Sequence, residues 1–119
     1  MNDIAIYGAG GFGKEIACLI YWINEVKPQW NLIGFFDDGV ECETQISHYG
    51  KVLGGMDTLN SWNKSLSVVF AIANNKVLCK LSSLIDNKQI GILKMKIKYS
   101  PPKEVMANLK TDGNFLEEK

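Results

Sequence analysis

Along the first part of the chain, continuous apolar runs typical of strands alternate with apolar residues at helical spacing. The continuous apolar run at residues 4–7 is typical of a buried strand. Directly after it, apolar residues recur at the spacing of one helical face, at Ile16, Leu19, Ile20 and Ile23. This spacing predicts a helix from about Gly11 to Val26. Pro28 ends it, because proline lacks the backbone N–H that a helix interior needs.

The alternation of strand and helix continues to about residue 86. Residues 29–37 are nearly continuous in apolarity, which predicts a strand covered on both faces. The polar stretch 38–51 is predicted to be a loop over the carboxyl ends of the strands. A very short strand at 52–55, a short helix at 56–62 and a further strand at 67–73 are predicted after it.

A third helix is predicted from the asparagine pair Asn74-Asn75 to about residue 86. An asparagine before a helix can accept hydrogen bonds from the free N–H groups of its first turn. The residues expected to face inward are Val77, Leu78, Leu81, Leu84 and Ile85.

The pattern changes near the C-terminus. Between residues 90 and 99 apolar residues alternate with Lys94, Lys96 and Lys98, which predicts a half-exposed strand. Lysines discourage edge-to-edge pairing, so we place this strand at an edge of the sheet. We therefore expect one domain over residues 1–99 and a C-terminal extension over 100–119. One or two helical turns are predicted at 104–109, and a frayed tail from residue 115.

The order of these elements predicts an α/β fold. The chain has 119 residues, enough for one domain with its own core. Alternating strands and helices indicate a sheet with helices packed on it. We expect a small Rossmann-like three-layer domain with a mainly parallel sheet of about four to five strands.

The first predicted strand ends in a glycine-rich turn. Gly8, Gly10 and Gly13 form G-x-G-x-x-G between a strand and a helix, the context in which this motif indicates an anion site. The first glycine permits the tight turn, the second lets a diphosphate approach the backbone, and the third allows close helix–sheet packing. The N–H groups of the new helix would face the anion. The alternative is a turn that serves packing alone.

Asp37 and Asp38 close the second predicted strand. An acidic residue at this place can hold a ribose hydroxyl. The alternative is a solvated strand end, because aspartate is common in turns.

Composition excludes several classes of protein. Thirteen basic and thirteen acidic residues give no net charge, which argues against a nucleic-acid binder or a polybasic membrane binder. No apolar run reaches the roughly 20 residues of a membrane span, and we expect no signal peptide, because the chain begins with a strand. The three cysteines, Cys18, Cys42 and Cys79, have no metal-binding spacing. They fit a reducing cytoplasm.

The chain resembles a known family in four blocks that follow one another in order. The blocks are residues 4–15 (IAIYGAGGFGKE), 33–38 (IGFFDD), 49–55 (YGKVLGG) and 69–75 (VFAIANN). They resemble the N-terminal domain of bacterial sugar acyltransferases of the sialic acid O-acetyltransferase and UDP-amino-sugar N-acetyltransferase group (the NeuD/PglD type). The resemblance covers about residues 3–86.

The resemblance implies a domain that binds a nucleotide-activated sugar of the UDP or CMP type, in cell-surface glycan or sialic acid modification. The implied substrate-binding residues lie in three groups: the glycine turn, the two acids, and the asparagines on the far side of the cleft. They are Gly8, Gly10, Gly11, Phe12, Gly13, Asp37, Asp38, Asn74 and Asn75. One departure is Ala73, where the family usually has glycine and where a methyl group narrows the cleft.

The resemblance stops before the catalytic part of the family. Its members continue into a left-handed β-helix of hexapeptide repeats, which binds acetyl-CoA, carries the catalytic histidine and forms the trimer. No such repeats follow Ile85 here. We therefore expect no acetyl-CoA site, no other cofactor, no metal and no catalytic residue, and no acyl transfer by this chain alone. His48, the only histidine, is expected to be a solvated loop residue, because no triad partner lies near it in sequence.

Two alternatives remain open from the residues. The glycine motif and Asp37 also allow an NAD(P)-binding Rossmann-type domain, although a full dinucleotide fold has two βαβαβ halves. The third hypothesis is a degenerate domain that binds no ligand and works by self-association. Homo-oligomerisation is left open under each hypothesis.

Overall fold

A computed structural model describes residues 2–95 and 116–118. Seven strands occur in these residues: β1 (Asn2–Tyr7), β2 (Trp30–Phe36), β3 (Gln45–Ile46), β4 (Gly50–Gly54), β5 (Leu66–Phe70), β6 (Ile90–Met95) and β7 (Leu116–Glu118). Three helices occur with them: α1 (Gly11–Val26), α2 (Met56–Asn60) and α3 (Asn75–Leu84). The predicted elements at 11–26, 29–37, 52–55, 56–62 and 67–73 are confirmed, with some shifts at their ends.

The strands form one sheet in the order β3-β4-β2-β1-β5-β6-β7. The five central strands are all parallel to one another, in the order β4, β2, β1, β5 and β6. The hairpin partner β3 and the terminal β7 are antiparallel. The α/β, mainly parallel fold class is therefore confirmed, with two short strands beyond the expected number.

Helices cover both faces of the sheet, which gives three layers. On one face, α1 buries Ile16, Ile20 and Ile23 against apolar residues of the central strands, including Ile4 and Phe35. On the other face, Met56 and Leu59 of α2 pack in a second core. Successive side chains of a strand point to opposite faces of the sheet. Phe35 and Phe36 are therefore both fully buried, Phe35 in the first core and Phe36 in the second.

The predicted loop at 38–51 is wrong in part, because it contains β3 and the start of β4. Gln45 stands opposite Lys51, and Ile46 opposite Gly50, in a short antiparallel hairpin. Only Ile46 of the two β3 residues is buried. The strand was not predicted because most of its surrounding residues are polar. It lies at the sheet edge, and Ile46 is its one buried apolar side chain.

The prediction of an edge strand at 90–99 is also wrong. β6 lies between β5 and β7, and Lys94 stands opposite Glu117 in the antiparallel register. Residues 116–118 are therefore part of the sheet and not a frayed tail. The lysines at 96 and 98 and the helical turns predicted at 104–109 lie outside the described residues.

The third predicted helix is present, but the prediction that its apolar residues face inward is wrong for two of them. Val77 and Leu84 are 42% and 47% exposed. Leu78, Leu81 and Ile85 are half-buried and pack against the second core. No residue of α3 is fully buried, so its apolar stripe is only partly covered.

Candidate functional site

The sheet order places a switch point, where open α/β sheets form a crevice, at the carboxyl ends of β1 and β5. The chain leaves β1 toward β2 on one side, while β5 lies on the other side of β1. Ligands of open α/β sheets bind where connections diverge in this way. The glycine turn follows β1, the two acids follow β2, and the asparagine pair follows β5, so all three predicted groups lie along this edge.

Two glycines of the turn are required by the fold itself. Gly8 has a φ of 119°, and a Cβ there would lie 2.9 Å from the carbonyl oxygen of Ala71. A Cβ on Gly13 would overlap the carbonyl oxygen of Gly8. The turn and the first turn of α1 are therefore packed backbone against backbone, as the motif predicts.

The other two glycines leave the backbone open. A Cβ on Gly10 or Gly11 would meet no atom within 4 Å. Both residues are exposed, and Gly10 is the N-cap of α1 with no side-chain cap from any described residue. No acidic residue lies in the first turn of α1. This helix end can therefore present its positive dipole and the backbone at the two open glycines to an anion.

Phe12, in the same turn, has a different position. It is half-buried and packs against the core under α1. Its ring anchors the start of the helix, so a contact of Phe12 with a ligand would involve its backbone or the exposed part of the ring. Lys14 is exposed in the first turn of α1.

The carboxylate of Asp37 braces the glycine turn. One of its oxygens, Oδ2, accepts a hydrogen bond of 2.9 Å from the backbone N–H of Ala9. The other, Oδ1, accepts one of 2.8 Å from the N–H of Gly39. Asp37 therefore connects the end of β2 to the turn after β1, and it is half-buried.

Asp38 connects two further elements. Its Oδ1 accepts a hydrogen bond of 3.0 Å from the backbone N–H of Met56, the first residue of α2. Its Oδ2 accepts a hydrogen bond from the hydroxyl of Tyr7. A Cβ on Gly55 would overlap Oδ1 of Asp38, so the glycine before α2 makes room for the carboxylate.

Tyr7 is the site residue that sequence reasoning missed. It is the last residue of β1, directly before the glycine turn, and it is almost fully buried. Burial, followed by the hydrogen bond and negative charge of Asp38, raises the pKa of Tyr7 far above its usual value. The sequence did indicate that Tyr7 lies at the carboxyl end of a strand. It gave no indication of the contact with Asp38, which is 31 residues away.

The two asparagines after β5 have different positions relative to α3. The side chain of Asn74 caps α3: its Oδ1 accepts from the N–H of Lys76 at 2.9 Å and of Val77 at 3.2 Å. This confirms the predicted cap. Asn75 is the first helical residue and is exposed, as is Ala73. Both asparagines are exposed, and the side chain of Asn74 is engaged in the cap.

His48 lies in the β3–β4 turn and not with the residues above. Its ring contacts those of Tyr49 and Tyr21, with centroids 4.2 and 5.8 Å apart, and its Nδ1 lies 3.3 Å from Oγ of Ser47. It is exposed. Apart from the hydroxyl of its exposed neighbour Ser47, the described residues give it no partner of a triad, and no acidic side chain is bonded to its ring.

The described residues contain no group of three or more histidine, cysteine, aspartate or glutamate side chains placed to hold a metal ion. Cys18, Cys42 and Cys79 are free thiols. None of the helices in the described part of the chain is long and apolar enough to cross a membrane.

Comparison with known proteins gives one match. A family model described as the PglD N-terminal domain matches residues 3–85. No curated protein and no solved structure shows a significant match to the chain. The matched range begins in β1, ends directly after α3, and contains the glycine turn, both acids and the asparagine pair.

Proposed function

The chain belongs to the PglD N-terminal domain family, and from this membership we propose that it binds a nucleotide-activated sugar at the carboxyl edge of its sheet. The domain is related to the N-terminal part of sugar acyltransferases. The proposed ligand is of the UDP or CMP type, and the proposed setting is the cytoplasmic synthesis of sialic acid or cell-surface glycans in a bacterium.

The observation that carries the proposal is that the four glycines of the turn have two different surroundings. Gly8 and Gly13 are required by packing, whereas Gly10 and Gly11 have open space where a side chain would be. Packing gives no reason for glycine at the two open positions. Close approach of a ligand to the backbone does, since a diphosphate needs the N–H groups of the turn without a Cβ between.

The two acids would face the nucleoside part of the ligand. Each carboxylate oxygen of Asp37 and Asp38 already accepts one hydrogen bond from the protein. A carboxylate has about four acceptor positions, so each acid retains capacity for a ribose hydroxyl or a base N–H. The internal hydrogen bonds would fix these oxygens before the ligand arrives, which lowers the entropic cost of binding.

The exposed amide of Asn75 is proposed to contact the ligand from the far side of the crevice. Asn74, by contrast, would act through its cap, which fixes the start of α3. No residue of this site is proposed to catalyse acyl transfer.

A ligand screen tests the proposal. We expect isothermal titration to show saturable binding of UDP-N-acetylglucosamine or CMP-sialic acid, with UDP or CMP weaker, and none of acetyl-CoA. Gly10→Val should abolish this binding and lower stability by no more than about 1 kcal/mol, because its side chain enters open space although valine is a poorer N-cap than glycine. Asn63→Val, in the exposed loop before β5, is the control. Binding of NAD alone would favour the dinucleotide hypothesis, and no binding by any of these ligands would contradict the proposal.

A further inference from the structure

A polar trough lies at the amino-terminal end of the sheet, at the opposite end of the strands from the glycine turn. Its volume is about 310 Å³, within the range of small-molecule sites. The residues that shape it are Asn2, Trp30, Ser65, Ser67, Gln89 and Gly91. They come from the beginnings of four neighbouring strands, β2, β1, β5 and β6, or directly precede them.

The strand register gives the trough a floor of small residues. Ser67 stands opposite Ile4 of β1 on one side and Gly91 of β6 on the other. Ile4 belongs to the core under α1, so this row of residues lies on the α1 face of the sheet. Two residues along β5 from Ser67, on the same face, Val69 is fully buried, so the floor changes from apolar to small and polar toward this end.

Glycine at position 91 has no structural explanation in the described residues. Its φ is not among the positive values recorded for glycines, and a Cβ there would meet no atom within 4 Å. A glycine within a strand is unfavourable, because it has more freedom to lose on folding and no side chain to pack. Glycine at such a place often marks the close approach of a ligand or another backbone.

Trp30 forms a fixed wall of the trough. The side chain of Asn24 on α1 holds its backbone, accepting from the N–H of Trp30 at 3.0 Å and donating to its carbonyl at 2.8 Å. The indole Nε1 is buried and has no acceptor among the described residues. A buried donor without a partner is unfavourable, so an acceptor that reached it would stabilise the site.

The chemistry of the lining selects a class of ligand. It offers the side-chain amides of Asn2 and Gln89, the hydroxyls of Ser65 and Ser67, and an aromatic ring, with the Ser65 hydroxyl donating to Oε1 of Gln89 at 3.4 Å. The described lining residues include no cation, and the carboxylate of Asp3 at the margin accepts from Asn31 at 3.0 Å and retains capacity for a ligand hydroxyl. Anions therefore have no charged partner here. Amides and hydroxyls pair with hydroxyl groups, and an aromatic ring packs against C–H groups.

We propose that this trough is a second binding site, for a neutral, hydroxyl-rich small molecule of about monosaccharide size, held between the Trp30 indole and the side chains of Asn2, Ser67 and Gln89. The site is separate from the carboxyl edge and does not depend on the function proposed for that edge.

NMR titration of the ¹⁵N-labelled chain tests the proposal, with D-glucose as the probe and sodium sulfate as the charged comparison. Glucose is expected to shift the Trp30 indole N–H and the backbone amides of Ser67 and Gly91 in a saturable manner. Sulfate is expected to leave these signals unchanged. Absence of a saturable shift with glucose, or a shift of the same signals by sulfate, overturns the proposal.

The substitution Gly91→Val tests the trough directly, and Ile92→Val controls for the neighbouring groove between α3 and β6, which Gly91 also lines. The side chain introduced at position 91 would enter the open space above the strand, so it should weaken glucose binding at least about tenfold. Thermal stability should be unchanged or higher, because valine suits a strand. Ile92→Val, which packs toward α3, is the matched control and should bind as the native chain does. Undiminished binding by Gly91→Val contradicts the site. If that variant unfolds, Ser67→Val is judged by the same criterion.

Discussion

At the scale of single residues, the candidate ligand-binding acids are also structural. Tyr7 is 3% exposed, its ring lies 5.3 Å from that of Phe70, and its hydroxyl donates to Asp38. Asp38 in turn accepts from the start of α2. Three elements therefore meet at one carboxylate. A ligand at this edge would find the acid already oriented, and a substitution there would change stability together with binding.

Removal of the Tyr7 hydroxyl isolates this hydrogen bond. Tyr7→Phe keeps the ring contact with Phe70 and leaves Asp38 with one donor fewer. Since hydrogen bonds to charged groups contribute more than neutral ones, we expect a loss of about 1–2 kcal/mol in the free energy of unfolding. Urea denaturation measures it. Tyr21→Phe, at a residue that is 40% exposed, should change stability by less than about 0.5 kcal/mol. Equal effects of both variants would contradict the assignment.

The raised pKa of Tyr7 predicts a specific loss of stability at alkaline pH. In the unfolded chain the phenol ionises near its ordinary value of about 10, whereas burial and Asp38 keep it protonated in the folded state. Below pH 10 both states retain the proton. Above it, the unfolded state releases the proton first, so the free energy of unfolding falls as pH rises. Tyr7→Phe should show a shallower decline between pH 10 and 11 in parallel urea titrations. An identical slope would exclude Tyr7 as the cause.

At the scale of elements, the cap of α3 is a clear test of local structure. Asn74 accepts from two N–H groups of the first turn, and no residue of α3 is fully buried. The helix therefore depends on its cap more than a well-covered helix would. Asn74→Ala should cost about 1 kcal/mol, measured by thermal unfolding with circular dichroism. Asn75→Ala, at the next position, removes no cap and should cost less than half as much. A larger effect at Asn75 would show that the cap is misassigned.

The glycine turn between β1 and α1 makes opposite predictions for neighbouring residues. Gly13→Ala drives a methyl group into the carbonyl oxygen of Gly8, where two backbone segments would have to separate. We expect a loss of about 1–3 kcal/mol or more. Gly11→Ala meets no atom and lies at the start of a helix, so it should be neutral or stabilising by up to about 1 kcal/mol. Chemical denaturation of the two variants measures the difference. A destabilised Gly11→Ala would mean that the turn is less open than its geometry indicates.

The elements also show which parts of the fold the sequence could predict. Helix α1 follows from four apolar residues at helical spacing and a proline beyond its end, because its whole apolar face is buried. The strand β3 did not follow, because two residues give no period and only Ile46 is buried. β7 was missed because its pairing with β6 is set by register across the sheet and not by its own composition.

For the candidate site, the sequence predicted where the acids and asparagines lie and that Asn74 caps α3, but not what the acids contact. Position follows from strand ends, which a local pattern reveals. The partners of Asp38 are Tyr7 and Met56, which lie 31 and 18 residues away and come close only in the folded sheet. The exposure of Val77 and Leu84 on α3 was not predicted, because it depends on how the helix packs on residues distant in sequence.

At the scale of the whole molecule, the two cores share one sheet, and this predicts a single unfolding transition. Adjacent residues of β1, β2 and β5 belong to opposite cores. Because the same strands carry both cores, loss of packing on one face of the sheet should disrupt the other. Ile20→Ala in α1 and Leu59→Ala in α2 each empty a fully buried position. Each should cost about 2–5 kcal/mol. Both should shift one transition that coincides by tryptophan fluorescence and circular dichroism. If Leu59→Ala instead separated the two signals, the layer formed by α2 and α3 would unfold independently of the layer formed by α1.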